Sequence, residues 1–277
     1  MKPINLASAI AVLILCSSCF RQEKIETPVN TLPSSTDKPI ISNPIKLNLQ
    51  SRKNGKKKIK SIDWHPSNSV ILLIDMWKRH ACLPAHARAE KLAVKINSHL
   101  PKLRAMGVQV IHSASGTIGS YLKHKARKNM EAYHQSTPQK PWNKRLMNEP
   151  PIPIIYGCNG YNIGHSDSSE QNKAIEILDS DLISDSCTEL LNYFEKNKIK
   201  WVFYAGVHTN ICVISRPCGM RNLSLTKFQP ILIRDLVDSV TGNRHYEYYT
   251  HDERNKYVNN HIEEYIAPSV QISDLIN

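Results

Sequence analysis

The run Trp201-Val-Phe-Tyr-Ala205 is apolar, aromatic and β-branched, with no polar side chain to turn toward water. A strand of this kind is buried on both faces, so it belongs inside a sheet covered by helices on either side. Ser69-Val-Ile-Leu-Leu-Ile74 is a second such run. Val108-Gln-Val-Ile-His112, Ala174-Ile-Glu-Ile177, Pro230-Ile-Leu-Ile-Arg234 and Val270-Gln-Ile272 are shorter candidates. Helical spacing separates them. Residues 87–105 repeat apolar positions at Ala89, Leu92, Ala93, Ile96, Leu100 and Leu103, with Gly107 beyond the end. Further helices are predicted over 182–194 and 253–266. The alternation predicts an α/β fold, a three-layer Rossmann-like sandwich with a mostly parallel sheet of about six strands. In such sheets sites gather at the carboxyl ends of strands.

Gly206 ends the Trp201 run, and Thr209 and Asn210 are helix-capping residue types. A helical pattern then begins at Ile211, Val213 and Ile214, which puts Cys212 in a first turn. Unpaired N–H groups and the positive end of the helix dipole there favour a thiolate and could hold an oxyanion. On this reading Cys212 has a lowered pKa and alkylates faster than other thiols at mildly acidic pH. The plainer reading of one such cysteine is a small buried hydrophobe. Asp75 directly follows the Ser69–Ile74 run, at the same sheet edge if both strands are central and parallel; its other role would be to cap the turn at Met76-Trp77. Lys173 precedes the Ala174 run, where a cation could hold both charges or simply be solvated. His80, His112, His208 and His251 fall near strand ends, as partners for a polar substrate or as ordinary bonded or exposed histidines. None has the His-x-x-x-His spacing of a helical metal pair.

The flanks read differently. Met1-Lys2, an apolar run over Ile4–Leu15 and Cys16-Ser-Ser-Cys19 describe an export signal over residues 1–18, too short to span a bilayer. Residues 19–60, with four prolines and no sustained apolar period, read as a flexible basic tether. Residues 1–60 carry 11 Lys+Arg and 3 Asp+Glu, so +8 of the chain's net +12 lies there. No aromatic residues are interleaved with those lysines, which argues against nucleic acid and for a solvated segment near anionic lipid. Residues 61–277 then form one domain of ordinary size, with a long, polar, proline-rich insert over 116–173 of the kind that covers a site. Cys82 with Cys158 is a candidate disulfide; the partners of Cys187 and Cys218 stay open.

Two stretches carry a resemblance. Val70-Ile-Leu-Leu-Ile-Asp75-Met-Trp77 and Gly206-Val-His-Thr-Asn-Ile-Cys212-Val213 resemble the signature strands of the isochorismatase-like cysteine hydrolases, a superfamily that includes nicotinamidases and other amidases. The nearer likeness is to a branch marked by Asp75-Met-Trp-Lys-Arg-His80, Ala174-Ile-Glu-Ile177 and Arg216-Pro-Cys-Gly-Met-Arg221. The resemblance implies hydrolysis of a small amide-type C–N bond. Cys212 would be the nucleophile, Asp75 the base and Lys173 the cation, with an oxyanion hole from the N–H groups of His208 and Cys212. It also implies a cis peptide at Val207-His208. His80, His112, Trp77 and Asn210 are the expected substrate contacts. His112-Ser-Ala-Ser lacks the carboxylate of the nicotinamidase metal pair, so no metal or cofactor is expected and nicotinamide is disfavoured as substrate. Ser17-Ser18-Cys19 resembles a bacterial lipobox, with Cys16 where leucine is usual. It implies lipidation of Cys19, hence an exported protein anchored to a bacterial membrane; a plain signal peptide is the alternative. A non-catalytic small-molecule-binding lipoprotein on the same fold is the second reading of function. Assembly into a homo-oligomer is left open.

Overall fold

The computed structural model describes residues 43–134, 149–152, 158, 164–241 and 250–276. The export signal, Cys19 and much of the long insert lie outside them. The strands are β1 (Ile45–Lys53), β2 (Lys56–Trp64), β3 (Ser69–Ile74), β4 (Trp77–Arg79), β5 (Gln109–Ser113), β6 (Asp167–Gln171), β7 (Leu182–Ile183), β8 (Trp201–Val207), β9 (Gln229–Asp238) and β10 (Ser269–Val270). The helices are α1 (Leu83–Ala105), α2 (Ile118–Tyr121), α3 (Lys125–Glu131), α4 (Cys187–Lys196), α5 (Met220–Leu223), α6 (His251–Tyr265) and α7 (Ile272–Ile276).

Eight strands form one sheet in the order β2-β1-β10-β9-β8-β3-β5-β7, and β4 pairs with β6 in a small antiparallel sheet. The six strands from β10 to β7 run parallel. Strand β3 shows why both faces must be covered. Ile71 and Leu73 join one apolar cluster with α1 and α7, while Val70, Leu72 and Ile74 join the other with α3, α4, α5 and α6. The chain runs from β3 outward to β5 and β7, then returns to lay β8 on the other side of β3. That reversal, between β3 and β8, is the switch point at which such sheets open a crevice.

Three expectations are corrected. The tether does not extend to Lys60: β1 and β2 form an antiparallel hairpin that reaches β10 through Gln50 opposite Ser269. Leu47 and Leu49 point into the core, and buried Trp64 donates Nε1–H to Ser69 Oγ at 2.7 Å. The turn is Asn54-Gly55, both at positive φ (53° and 73°), a sequence that favours two-residue hairpin turns. Second, Ala174–Ile177 is not a strand. Leu182–Ile183 takes the edge beside β5, and Ile175 instead packs into the α1 cluster. Third, residues 182–194 are not one helix, because α4 starts only at Cys187, where Ser186 Oγ accepts from Glu189 N–H.

Candidate active site

Asp75 and Cys212 meet at the carboxyl edge of β3 and β8. The close approach depends on Gly206, opposite Ile74: a Cβ there would lie 2.2 Å from the Ile74 carbonyl oxygen. After β8 the Val207-His208 peptide is cis, as the resemblance implies. Residues Thr209–Val213 then wind as a wide π-type turn that carries Cys212. Wide turns of this kind recur at functional sites.

Asp75 is 1% exposed and sits at a φ of 46°, uncommon for a residue with a side chain. Its Oδ1 accepts from Ser115 N–H (2.7 Å), Ser115 Oγ–H (2.8 Å) and Arg216 Nη1–H (3.1 Å). None of these donors uses Oδ2. The charge of this same carboxylate acts on the Cys212 thiol, and the His208 backbone opposes it by favouring the sulfur's charged form. Cys212 is partly exposed and is the free cysteine among the described residues. The other four described cysteines pair as Cys82–Cys158 and Cys187–Cys218, with Cα separations of 5.6 Å and 5.0 Å. The second pair leaves the thiol of Cys212 unconsumed.

The lowered thiol pKa expected from the helix start is corrected. Burial, then the Asp75 charge and its hydrogen bond, push Cys212 up to about 12; the His208 N–H and Arg216 only partly offset this. A carboxylate at hydrogen-bonding range disfavours a second negative charge more than one turn of backbone favours it. The resting site therefore holds a thiol beside a base rather than a free thiolate.

Lys173 does not reach the Asp75–Cys212 pair in this structure. That residue is exposed, and among the described residues no ion pair or hydrogen bond ties it to Asp75 or Cys212. Strand β6 does bring the segment to the strand edge, with Gln171 opposite Trp77 and Asn172 N–H donating to the Met76 carbonyl at 2.8 Å, but the Lys173 side chain beyond it is exposed. Arg216 is the cation that bonds Asp75. Its Nη1 bonds Asp75 and the Ser113 carbonyl, and its Nη2 reaches the Asp185 carbonyl at 3.5 Å. Its signal was present in the sequence: it follows Cys212 by four positions and opens the Arg216-Pro-Cys-Gly motif. The motif's second arginine does something else. Arg221 grips buried Glu149 with two nitrogens, and His261 Nε2 adds a third contact at 3.1 Å, which fixes one end of the described part of the insert.

The remaining expected contacts divide. His80 is 1% exposed and His208 9%, with ring centroids 5.0 Å apart. Trp77 donates Nε1–H to the Ser115 carbonyl at 3.0 Å, and its ring lies 5.3 Å from His80. These three rings pack one on another, ending at His208, which opens the turn that carries Cys212. His112 and Asn210 do not join them. His112 is enclosed, with Nδ1 on Gln171 Oε1 (2.9 Å) and Nε2 on Asp181 Oδ2 (3.0 Å). Asn210 spends both ends of its amide on Val240, donating to the carbonyl at 2.9 Å and accepting from the N–H at 3.1 Å. His112 has both ring nitrogens engaged, and Asn210 braces the Cys212 turn against Val240. Asp238, at the end of β9, was not singled out from the sequence. It takes Arg88 Nε on both oxygens (3.2 and 3.1 Å) and His251 Nε2 on Oδ1 (2.6 Å). Among the described residues no group of three His, Cys, Asp or Glu side chains converges as a metal site.

No family model and no curated protein sequence matches the chain. Solved structures do resemble it. A cysteine hydrolase from Pseudomonas syringae pv. phaseolicola is 15% identical, covering 78% of this chain and 94% of that one, with a TM-score of 0.49. An isochorismatase from Pseudomonas putida is 12% identical over 76% and 91%, with a TM-score of 0.48. A nicotinamidase/pyrazinamidase from Bacillus subtilis is 13% identical over 72% and 98%, with a TM-score of 0.36. Likeness this distant does not extend to activity, so function is argued from the side chains above.

Proposed function

We propose that the chain is a cysteine hydrolase that cleaves an amide-type C–N bond of a small molecule. The supporting observation is the Asp75 carboxylate, which is pinned through Oδ1 by three donors and whose charge acts on Cys212, the free thiol among the described residues. A fixed base beside a protonated nucleophile is the arrangement for attack with concerted proton transfer. Cys212 Sγ attacks the carbonyl carbon as Asp75 takes the thiol proton. Arg216 keeps Asp75 oriented and balances its charge. The N–H groups of His208 and Cys212 serve the developing oxyanion. Collapse of the tetrahedral intermediate breaks the C–N bond, and Asp75 passes its proton to the leaving nitrogen. A water, deprotonated by Asp75, then attacks the thioester and releases a carboxylic acid and the thiol. The net reaction adds one water across the amide.

A screen of small amides against wild type and Cys212→Ala tests this, with intact-mass detection of an acyl-enzyme. A thioester adduct on wild type and none on Cys212→Ala is the expected result. Equal turnover by both proteins, or none by wild type on any amide, sinks the hydrolase and favours the binding-protein reading. Export and lipidation at Cys19 belong to the same proposal. A mature N-terminus at Cys19 carrying acyl mass is the expected product in a bacterial host.

A further inference from the structure

Three histidine rings meet beside the nucleophile turn. His80 follows β4, His208 opens the Cys212 turn, and His86 lies in the first turns of α1; the His80 ring is 5.0 Å from His208 and 6.3 Å from His86. Among the described residues neither ring nitrogen of His80 has a hydrogen-bond partner, and neither does His208 Nε2. His86 Nδ1 is also unmet, 3.8 Å from Glu90. Thr209 Oγ1 and Ser239 Oγ, beside the ends of β8 and β9, are buried and unpartnered too. Native folds rarely leave buried donors and acceptors unmet, and a cluster of them marks a place where something else supplies the partner.

The charge around these rings is already committed. Asp75 and Asp238 act on His208 from the two flanking strand ends. Arg216 is engaged with Asp75 and Arg88 with Asp238, while Arg254, near enough to feel the charge of Arg88, donates to Thr241 Oγ1 at 3.0 Å. Burial, then His86, holds His80 down at about 4, and burial, then His80, does the same for His208. At neutral pH the His80 and His208 rings carry no charge.

We infer that His80 and His208 form a charge-selective subsite that takes an uncharged group bearing both a hydrogen-bond donor and an acceptor, and rejects a carboxylate. The inference rests on the hydrolase reading for its place in the substrate's path. A neutral imidazole presents one N–H and one lone pair, and an amide answers both. A carboxylate offers acceptors only and would be desolvated beside two fixed carboxylates. The substrate class that follows is small uncharged amides, and the acid product is expelled by the same groups.

Matched probes test the subsite without turnover. In Cys212→Ala, benzamide and isobutyramide are compared with benzoate and isobutyrate by calorimetry at pH 7.5. The amides should bind at least tenfold tighter than their acids. His80→Phe in that background should erase most of the preference, while His80→Gln, which keeps a donor and an acceptor, should retain it. Circular dichroism establishes that each variant is folded. Acids that bind as well as amides, no binding by either amide, or an undiminished preference in folded His80→Phe would each overturn the subsite. Turnover separates the two claims. Wild type that hydrolyses benzamide but is inhibited by benzoate as strongly as it binds benzamide loses the subsite and keeps the hydrolase. A His80-dependent preference with no turnover of any amide loses the hydrolase and keeps the subsite.

Discussion

His112 and His80 are both buried histidines near the carboxyl edge of one sheet, and they are wired in opposite ways. Both ring nitrogens of His112 are bonded, and its partner Asp181 also accepts from Arg104 (2.9 and 2.7 Å) and from the Leu178 N–H (2.8 Å). His80 has no partner on either nitrogen among the described residues. The same side chain at the same depth is fully bonded in one place and left without partners in the other. Satisfaction of the polar atoms, rather than residue type or burial, distinguishes them.

The sharpest break of that contrast is at the thiol. Cys212→Ala should remove amide turnover by roughly 10⁴-fold or more, the scale of losing a nucleophile. It should leave the melting temperature close to wild type, because Cys212 is partly exposed and makes no disulfide. Turnover retained within tenfold would place the chemistry elsewhere.

On the satisfied side the loss should appear in stability. Asp181→Asn leaves Arg104 and His112 without their carboxylate. Breaking a buried, hydrogen-bonded charge pair costs about 3–5 kcal/mol. Against burial, which raises it, the bonds from His112 and Arg104 hold the Asp181 carboxyl below its ordinary range, so the ionised form is the one the fold uses. Urea unfolding should show the deficit, while turnover per folded molecule stays near wild type. A large fall in turnover with unchanged stability would reverse the roles assigned to the two clusters.

Arg216→Gln lies between these extremes. Removing the guanidinium from Asp75 should lower kcat by about 10- to 100-fold, the range over which a poorly held general base loses effect. KM should move less, because the substrate carbonyl is not held by Arg216. A change confined to KM would assign Arg216 to substrate binding.

Much of this was legible in the chain. The Ser69–Ile74 and Trp201–Ala205 runs have no polar face, so they had to be central, and Asp75 and Cys212 follow directly at their ends. What escaped depended on contacts that periodicity does not encode. Lys173 was placed by its position before a strand that did not form, since Ile175 found a better site against α1. Arg216 was visible only as part of a motif, because the π-type turn, not an ordinary helix, decides which way it points. The hairpin was hidden by the lysines of β2, which are exposed along an edge strand where charge discourages pairing with other chains. Asn54-Gly55 and the alternation of Ile45, Leu47 and Leu49 were the overlooked signals.

A smaller effect separates the histidines by pH. His80 titrates near 4 in the fold and near 6.5 when free. A depressed folded pKa contributes stability that is complete above about 6.5 and is lost as pH falls toward about 4, because the unfolded chain then binds protons that the fold refuses. Chemical unfolding between pH 7 and 5 should therefore show falling stability, with a shallower slope in His80→Phe. An unchanged slope in that variant would mean the ring is not held neutral by its surroundings.

The smallest expected effect is a test by its absence. Lys173 is exposed and joins neither Asp75 nor Cys212 among the described residues, so its charge is screened by water and should count for little at the thiol. Lys173→Gln should leave kcat/KM within about twofold and stability within ~0.5 kcal/mol, as for surface substitutions generally. Paired with Arg216→Gln, it asks which cation the base depends on. A loss on Lys173→Gln as large as that on Arg216→Gln would require the lysine to swing onto Asp75 during turnover, and Arg216 would then be a brace like His112.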